Sequence, residues 1–469
     1  MNTPSPDLSL RLAEHVAGAR FDALPPGTVH AARRALLDGL GVMLAASGES
    51  GDVQPFIGLA RRADGTGTAS VLGTEVRTGA ALAALANGAM AHALDYEDAY
   101  DAAPVHPNAS LIPALLALAQ TAPAPVSGRE FLTALAVGCD FACRLARCLE
   151  RSMEQGGWYP PAILAAYGAA AGAARLLRLD VRQTLDAWSL MLCQATCPGE
   201  IKYSADTVIR AVREAFPAQA AVQSALLARA GVRGFDAPFE GRSGFFALYV
   251  EGAYSATRLL EELGRHWLID DLSFKPWPCC RGTHAYIEAA QTLRKRHALR
   301  AEDIAEIHIG GGSVQRMLYE PETQKRRPRT LIDAKFSLPF TVAAALVHPE
   351  VTLGSFTPQT LADPGLLALA DRCRFELRPD WGHAHAAAGE LRLISTDGRE
   401  FDCRIPQALG HPSRPLADTQ LHAKFAACAA RAAQPWTAPD IDALAARILA
   451  LDLLDDVSAL LPAAPRPAR

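Results

Sequence analysis

The residues best suited to chemistry fall into short polar clusters set in an otherwise apolar chain. The first follows an alanine-rich run: Ala91-His92-Ala93-Leu94-Asp95-Tyr96-Glu97-Asp98-Ala99-Tyr100-Asp101, then Pro104-Val105-His106-Pro107-Asn108. Four carboxylates and two histidines lie within fifteen positions. Carboxylates and imidazoles serve proton transfer when desolvation and neighbouring charge bring their pKa values toward neutrality. Asp95 follows the apolar run closely enough to be held partly out of water, and His106 is fixed between Val105 and a proline that restricts its backbone. The competing reading is a solvated acidic loop after a helix end. Neither the Asp-x-Asp-x-Asp-Gly run of a calcium loop nor the His-Glu-x-x-His of a zinc helix is present, so no metal site is expected.

The second cluster is Ser273-Phe274-Lys275-Pro276-Trp277-Pro278-Cys279-Cys280-Arg281-Gly282-Thr283-His284. Two prolines hold Lys275 and Trp277 extended, and Thr283 is placed to N-cap a helix carrying His284 in its first turn. A helix N-terminus with Lys275 and Arg281 would suit a carboxylate and keep a nearby imidazole uncharged. The plainer alternative is a polar domain linker. Cys280 lacks an evident Cys-His-Asn arrangement for nucleophilic work. A third segment holds Tyr319, able to donate a phenolic proton or simply to pack, and the basic run Lys325-Arg326-Arg327-Pro328-Arg329, read as a solvated loop.

The elements that must position these residues follow from periodicity. Thr28 to Ala46 puts Ala32, Leu36, Leu37, Leu40 and Met43 on one stripe, with Arg33, Arg34 and Asp38 off it. Similar helical patterns run over residues 79–94, 110–119, 128–149, 161–177, 180–192 and 207–230, with no strand pattern among them. From about residue 267 the texture changes. Ile304 to Ile309 alternates and ends in three glycines, best read as a strand-ending turn because no nucleotide-binding spacing follows, and 391–405 reads as a hairpin turning at Asp397-Gly398. The expected fold is mainly α with an inserted α/β domain. Residues 1–266 form the first part of a helical domain, 267–405 a smaller α/β domain, and 406–469 a helical tail packing back on the first.

Composition sets outer limits. The chain has 469 residues, 46 Lys+Arg against 50 Asp+Glu, and a formal net charge of -4. That balance excludes a protein built mainly to hold nucleic acid. Ten cysteines are too dilute for a disulfide framework. With no signal-peptide pattern and no long apolar run, a soluble cytoplasmic protein with no membrane partner is expected.

Five segments, taken in order, resemble the MmgE/PrpD family, which includes 2-methylcitrate dehydratase, cis-aconitate decarboxylase and iminodisuccinate epimerase. They are Asn87-Gly88-Ala89 running on to Asp98, His106-Pro107-Asn108, Phe274 to Cys280 with His284, Lys335-Phe336-Ser337-Leu338-Pro339-Phe340, and Gly410-His411-Pro412-Ser413-Arg414-Pro415-Leu416. The resemblance implies a homodimer with no cofactor. It also implies Asp95, His106, His284 and Tyr319 as active-site residues, with Lys275 beside them. Two positions depart from some members: Ala99 stands where they have threonine, and Arg213 where they have lysine. Arginine keeps a carboxylate-binding charge but cannot donate a proton as lysine does. The expected activity is a cofactor-independent lyase on a small polycarboxylic acid, first of all dehydration of a 2-methylcitrate-like hydroxy acid. Lys275, Arg281 and Arg213 would bind carboxylates. The alternatives are an epimerase of an imino- or amino-polycarboxylate, a cis-aconitate-type decarboxylase, and a tricarboxylate-binding protein without turnover.

Overall fold

Alanine faces let the helices of the first half approach closely, including pairs far apart in the chain such as Ala80–Ala93 with Ala215–Arg229. A computed structural model describes residues 7–63, 67–204, 206–434 and 436–461. Helices Pro26–Glu49, Ala80–Ala93, Pro107–Gln120, Gly128–Arg147, Pro160–Leu176, Val181–Leu192 and Ala215–Arg229 follow the expected periodic segments and pack around one apolar core. The stripe from Ala32 to Met43 is buried, and so, contrary to its position off the stripe, is Asp38, which Lys424 of the tail covers. Local chemistry sets the ends: the Ser127 hydroxyl accepts from the Glu130 amide, and Asp180 and Gln183 form a reciprocal capping box.

Two expectations for this half are corrected. The segment 207–230 is not one helix; Ile209–Val212 stops and Ala215–Arg229 restarts, with Arg213 and Glu214 between them. Their side chains are buried inward rather than lying on an amphipathic face. Strands are also not confined to the second half, since Ala69–Ser70 pairs antiparallel with Arg77–Thr78.

The smaller part is a mixed four-stranded sheet in the order Cys373–Leu377, Ile304–Gly311, Gly389–Ser395, Glu400–Ile405. The first two strands run parallel and the other pairs antiparallel. The expected strand and hairpin are both present, with Gly398 at positive φ in the turn. Along Gly389–Ser395 burial alternates residue by residue, and helix His284–His297 packs on the covered face. The molecule is therefore mainly α with a small α+β part.

The tail places helix Asp418–Ala429 along Pro26–Glu49, with Phe425 against Gly41. From it Lys424 reaches the Asp38 carboxylate at 2.7 Å and the Tyr96 carbonyl at 2.6 Å. Among the described residues no helix is long and apolar enough to cross a membrane.

Candidate active site

Helix Ala80–Ala93 ends just before Asp95, whose backbone is left-handed at φ 49°. Aspartate tolerates that conformation better than most residues, at a cost that surrounding contacts must offset. Its amide donates to the His92 carbonyl at 2.8 Å, and the Lys275 ammonium donates to both the Asp95 carbonyl at 3.0 Å and its Oδ1 at 2.6 Å. Helix Pro107–Gln120 begins immediately after His106. The loop between the two helices is pinned to the second cluster by reciprocal bonds between Ala99 and Ser273, at 2.9 and 2.8 Å.

Two glycines allow the approach. A Cβ on Gly88 would stand 2.6 Å from the Glu214 carbonyl, so only glycine lets the Arg213-Glu214 break settle on helix Ala80–Ala93. Gly410, at φ +88°, accepts from the Phe274 amide at 3.1 Å, and a Cβ there would fall 1.9 Å from the Phe274 carbonyl. The Gly410-His411-Pro412 motif thus holds the strand-like segment that carries Lys275.

Glu97 stands at the centre of the network, fully buried. One of its oxygens, Oε1, contacts Nδ1 of His92, lies 3.2 Å from Nδ1 of His106, and is 3.9 Å from the Lys275 ammonium. On its far side, His92 meets an Nη of Arg213 through Nε2. A guanidinium only donates, so that nitrogen accepts and the His92 proton sits on Nδ1, facing Glu97. The same logic orients His106. Its Nδ1 lies 2.8 Å from the Asp98 carbonyl, which only accepts, so Nδ1 carries the proton and Nε2 is left as the basic nitrogen.

Charge balance fixes the ionisation states. Burial opposes charge on Asp95, but the Lys275 ammonium together with His92 and His106 outweighs it and holds the carboxyl below its ordinary value. Burial likewise opposes charge on Lys275, and the Asp95 and Glu97 carboxylates keep it an ammonium. Burial and the Arg213 charge keep His92 neutral, while burial, against the pull of Glu97, lowers His106 to about 3. Burial pushes the Asp98 carboxyl up to about 7, although Asn108 donates to it at 2.6 Å. Lys335, whose ammonium donates to the Leu94 carbonyl at 2.6 Å, is pushed down by burial to about 8.

A cavity of about 530 Å³ opens between the helical part and the smaller part, against His106, Tyr159, Arg210, Cys280, Arg281 and Phe336. The His106 side chain is 16% exposed, whereas Asp95, His92 and Lys275 are fully covered behind it. The cavity therefore meets one imidazole, supported from behind by a buried array of alternating charge. That array can hold a neutral base in one tautomer and stabilise it once it takes up a proton.

Of the residues expected from sequence, Asp95, His106, Lys275 and Arg213 converge, joined through His92 and Glu97. The other three do not join them. His284 is fully buried, with Nε2 3.0 Å from the Cys279 carbonyl and its ring 5.3 Å from that of Trp277. Arg281 lines the cavity, but it is bound to Asp101 at 3.0 Å and to the Leu409 carbonyl at 2.8 Å. The Tyr319 hydroxyl donates to the Cys373 carbonyl at 3.0 Å beside the sheet, and the ring stacks on Phe375. Arg213 is committed to His92 and to Glu214, the latter at 3.1 Å.

The expected N-cap at Thr283 is corrected as well. Its hydroxyl donates back to the Cys280 carbonyl at 2.8 Å and caps no amide. The basic run is solvated only in part: Arg327 and Arg329 are exposed, whereas Lys325 is buried against Asp333 at 2.8 Å and Arg326 donates to Tyr319 and to the Cys373 carbonyl. His92, Asp95 and Glu97 each offer one ligand-type atom within 4.8 Å of the others, the spacing of a cation site. Lys275 and Arg213 already supply the positive charge that this group demands. His92, Glu97 and Arg210 were not singled out from sequence; the available signals were His92 one turn before Asp95, and Arg210 one turn before Arg213.

Cis-aconitate decarboxylase of Mus musculus is 26% identical over 457 residues, covering 95% of this chain and 91% of its own. The Homo sapiens cis-aconitate decarboxylase is 26% identical over 82% of this chain and 79% of its own, and a cis-aconitate decarboxylase-like protein of Aspergillus oryzae is 25% identical over 90% and 91%. A family model for the MmgE/PrpD N-terminal domain matches residues 10–257, and one for the MmgE/PrpD C-terminal domain matches residues 277–448. With both models matched in order along a single chain, this protein belongs to the MmgE/PrpD family.

Proposed function

We propose that this chain is a lyase of a small polycarboxylic acid, and that its reaction is decarboxylation of an unsaturated tricarboxylate of the cis-aconitate kind. The observation that carries the reading is the single imidazole on the cavity wall, His106, with Nδ1 tied inward to Asp98 and Glu97 and Nε2 left for the substrate. Relatives named as cis-aconitate decarboxylases align over most of the chain, which moves the weight from the dehydration first expected from sequence to loss of CO2. Binding a polyanion beside His106 raises its proton affinity. The imidazolium then delivers its proton to one alkene carbon, and the double bond shifts one position as a carboxylate leaves as CO2. Epimerisation finds less support, because it needs acid/base groups on both faces of one carbon, and His284 does not line the cavity.

The test is an NMR panel of cis-aconitate, methylcitrate, citrate and iminodisuccinate in deuterated water. CO2 release from cis-aconitate, with one deuterium gained per turnover, is expected. Loss of water from methylcitrate instead would restore dehydration, and α-proton exchange alone would favour an epimerase. His106→Gln should lower turnover of the true substrate by roughly two to four orders of magnitude. A variant within threefold of the parent would sink the assignment of His106.

A further inference from the structure

The cavity wall carries three cations, and two of them are already neutralised. Arg281 is held by Asp101 and two backbone carbonyls, and Lys202 by Glu154 at 2.9 Å. The third, Arg210, is different. It is 93% buried by its 7% exposure, and among the described residues none of its side-chain nitrogens has a hydrogen-bond or ion-pair partner; its Nε is wholly covered and unsatisfied. Its guanidinium lies 3.4 Å over the ring of Phe336, with Tyr159 at 5.9 Å. Stacking covers the face of the guanidinium and leaves its in-plane N–H groups free, the edge that grips a carboxylate with two parallel bonds. A buried, unsatisfied donor is costly in the empty protein, and a bound anion removes that cost.

The geometry points to Arg210 as the anchor for one substrate carboxylate, and so as a residue that sets how many carboxylates the substrate must carry. This inference rests on the polycarboxylate reading above. Arg213, which the sequence suggested for this task, cannot share it while bound to His92 and Glu214. Arg210 acts as the external anchor, and Arg213 stays within the buried network.

Binding of two inert probes by calorimetry tests it without requiring turnover. Tricarballylate has three carboxylates on a propane chain, and glutarate lacks the central one. The unaltered chain should bind tricarballylate more tightly than glutarate by roughly 10- to 100-fold, the value of one charge-assisted contact. In Arg210→Gln that preference should shrink to within about threefold, chiefly by loss of tricarballylate affinity, whereas Arg210→Lys should keep part of it. Thermal melts of both variants report whether the fold is intact, and Arg210→Lys, which retains a cation on a similar stem, stands in if the glutamine variant unfolds.

If Arg210→Gln binds both probes as the unaltered chain does, the anchor is overturned; if it loses both equally, Arg210 does not read the third carboxylate and its role in setting their number is overturned. In either case the polycarboxylate reading stands. If the unaltered chain binds neither probe, the polycarboxylate reading falls first, and the anchor with it.

Discussion

At the scale of single residues, the site is a set of buried charges whose proton affinities pull stability in opposite directions with pH. Burial holds the Asp98 carboxyl at about 7, above its ordinary 3.8, so the folded chain retains a proton that the unfolded chain has released. Stability from this group is complete below about pH 4 and is lost as pH rises through 7, by up to about 4 kcal/mol. His106, lowered to about 3 by burial, works the other way: the unfolded chain binds the extra proton, and stability falls as pH drops from 6.5. Asp98→Asn isolates the first effect. Its stability relative to the parent, from urea unfolding, should improve steadily between pH 5 and pH 8. A constant difference across that range would mean that Asp98 is ionised throughout.

The residue scale is also where the sequence was least readable. Asp95, His106 and Lys275 were visible because their neighbours constrain them, whereas Glu97 carries the same charge as Asp98 and Asp101 in one acidic run. Only the fold shows that Glu97 faces His92, His106 and Lys275 at once.

At the scale of elements, the Arg213-Glu214 break on Gly88 and the Phe274-Lys275 segment on Gly410 are brought into place by backbone that no side chain could replace. Gly410 is left-handed and would drive a Cβ into the Phe274 carbonyl, while Gly231, left-handed at φ +94°, has open space around it. Gly231→Ala should cost only the conformational penalty, about 1 kcal/mol. Gly410→Ala should cost about 2–4 kcal/mol, since it adds a steric shift of the segment leading to Lys275. Turnover should fall for Gly410→Ala and not for Gly231→Ala. Equal urea midpoints for the two variants would refute the positional role of the motif.

The long helices and the 391–405 hairpin were legible because their apolar periods persist over many residues. Cys373–Leu377 was not, because its burial does not alternate cleanly and its pairing depends on a partner more than sixty positions away. The break at Arg213 did have a local signal that the apolar period masked: Pro217 has no N–H to offer the Arg213 carbonyl four residues before it, and its ring crowds that carbonyl.

At the scale of the whole molecule, the near-neutral charge conceals a clamp that ties three regions together. Lys424, in the tail, binds Asp38 in helix Pro26–Glu49, donates to the Tyr96 carbonyl and stands 3.9 Å over the Tyr96 ring. Tyr96 in turn donates its hydroxyl to the Pro276 carbonyl at 3.0 Å, next to Lys275. The periodicity of the tail announced a helix, but nothing in its sequence indicated that one lysine would reach the loop carrying Asp95.

Lys424→Met tests the clamp, since it leaves Asp38 buried without a partner. Removing one member of such a pair costs about 3–5 kcal/mol, mainly because the remaining charge is stranded. Burial already raises the Asp38 pKa against the lowering pull of Lys424, so loss of the lysine raises it further. The folded variant then gains stability by taking up a proton. Its deficit should therefore be largest near pH 8 and shrink as pH falls toward 5. Adding Asp38→Asn should recover much of the loss at pH 8 and little at pH 5, because a neutral side chain needs no ammonium. Turnover should stay depressed in the double variant, where the Tyr96 carbonyl still lacks its donor. A deficit independent of pH, or a double variant no more stable than Lys424→Met at pH 8, would show that the tail holds the molecule by apolar packing alone.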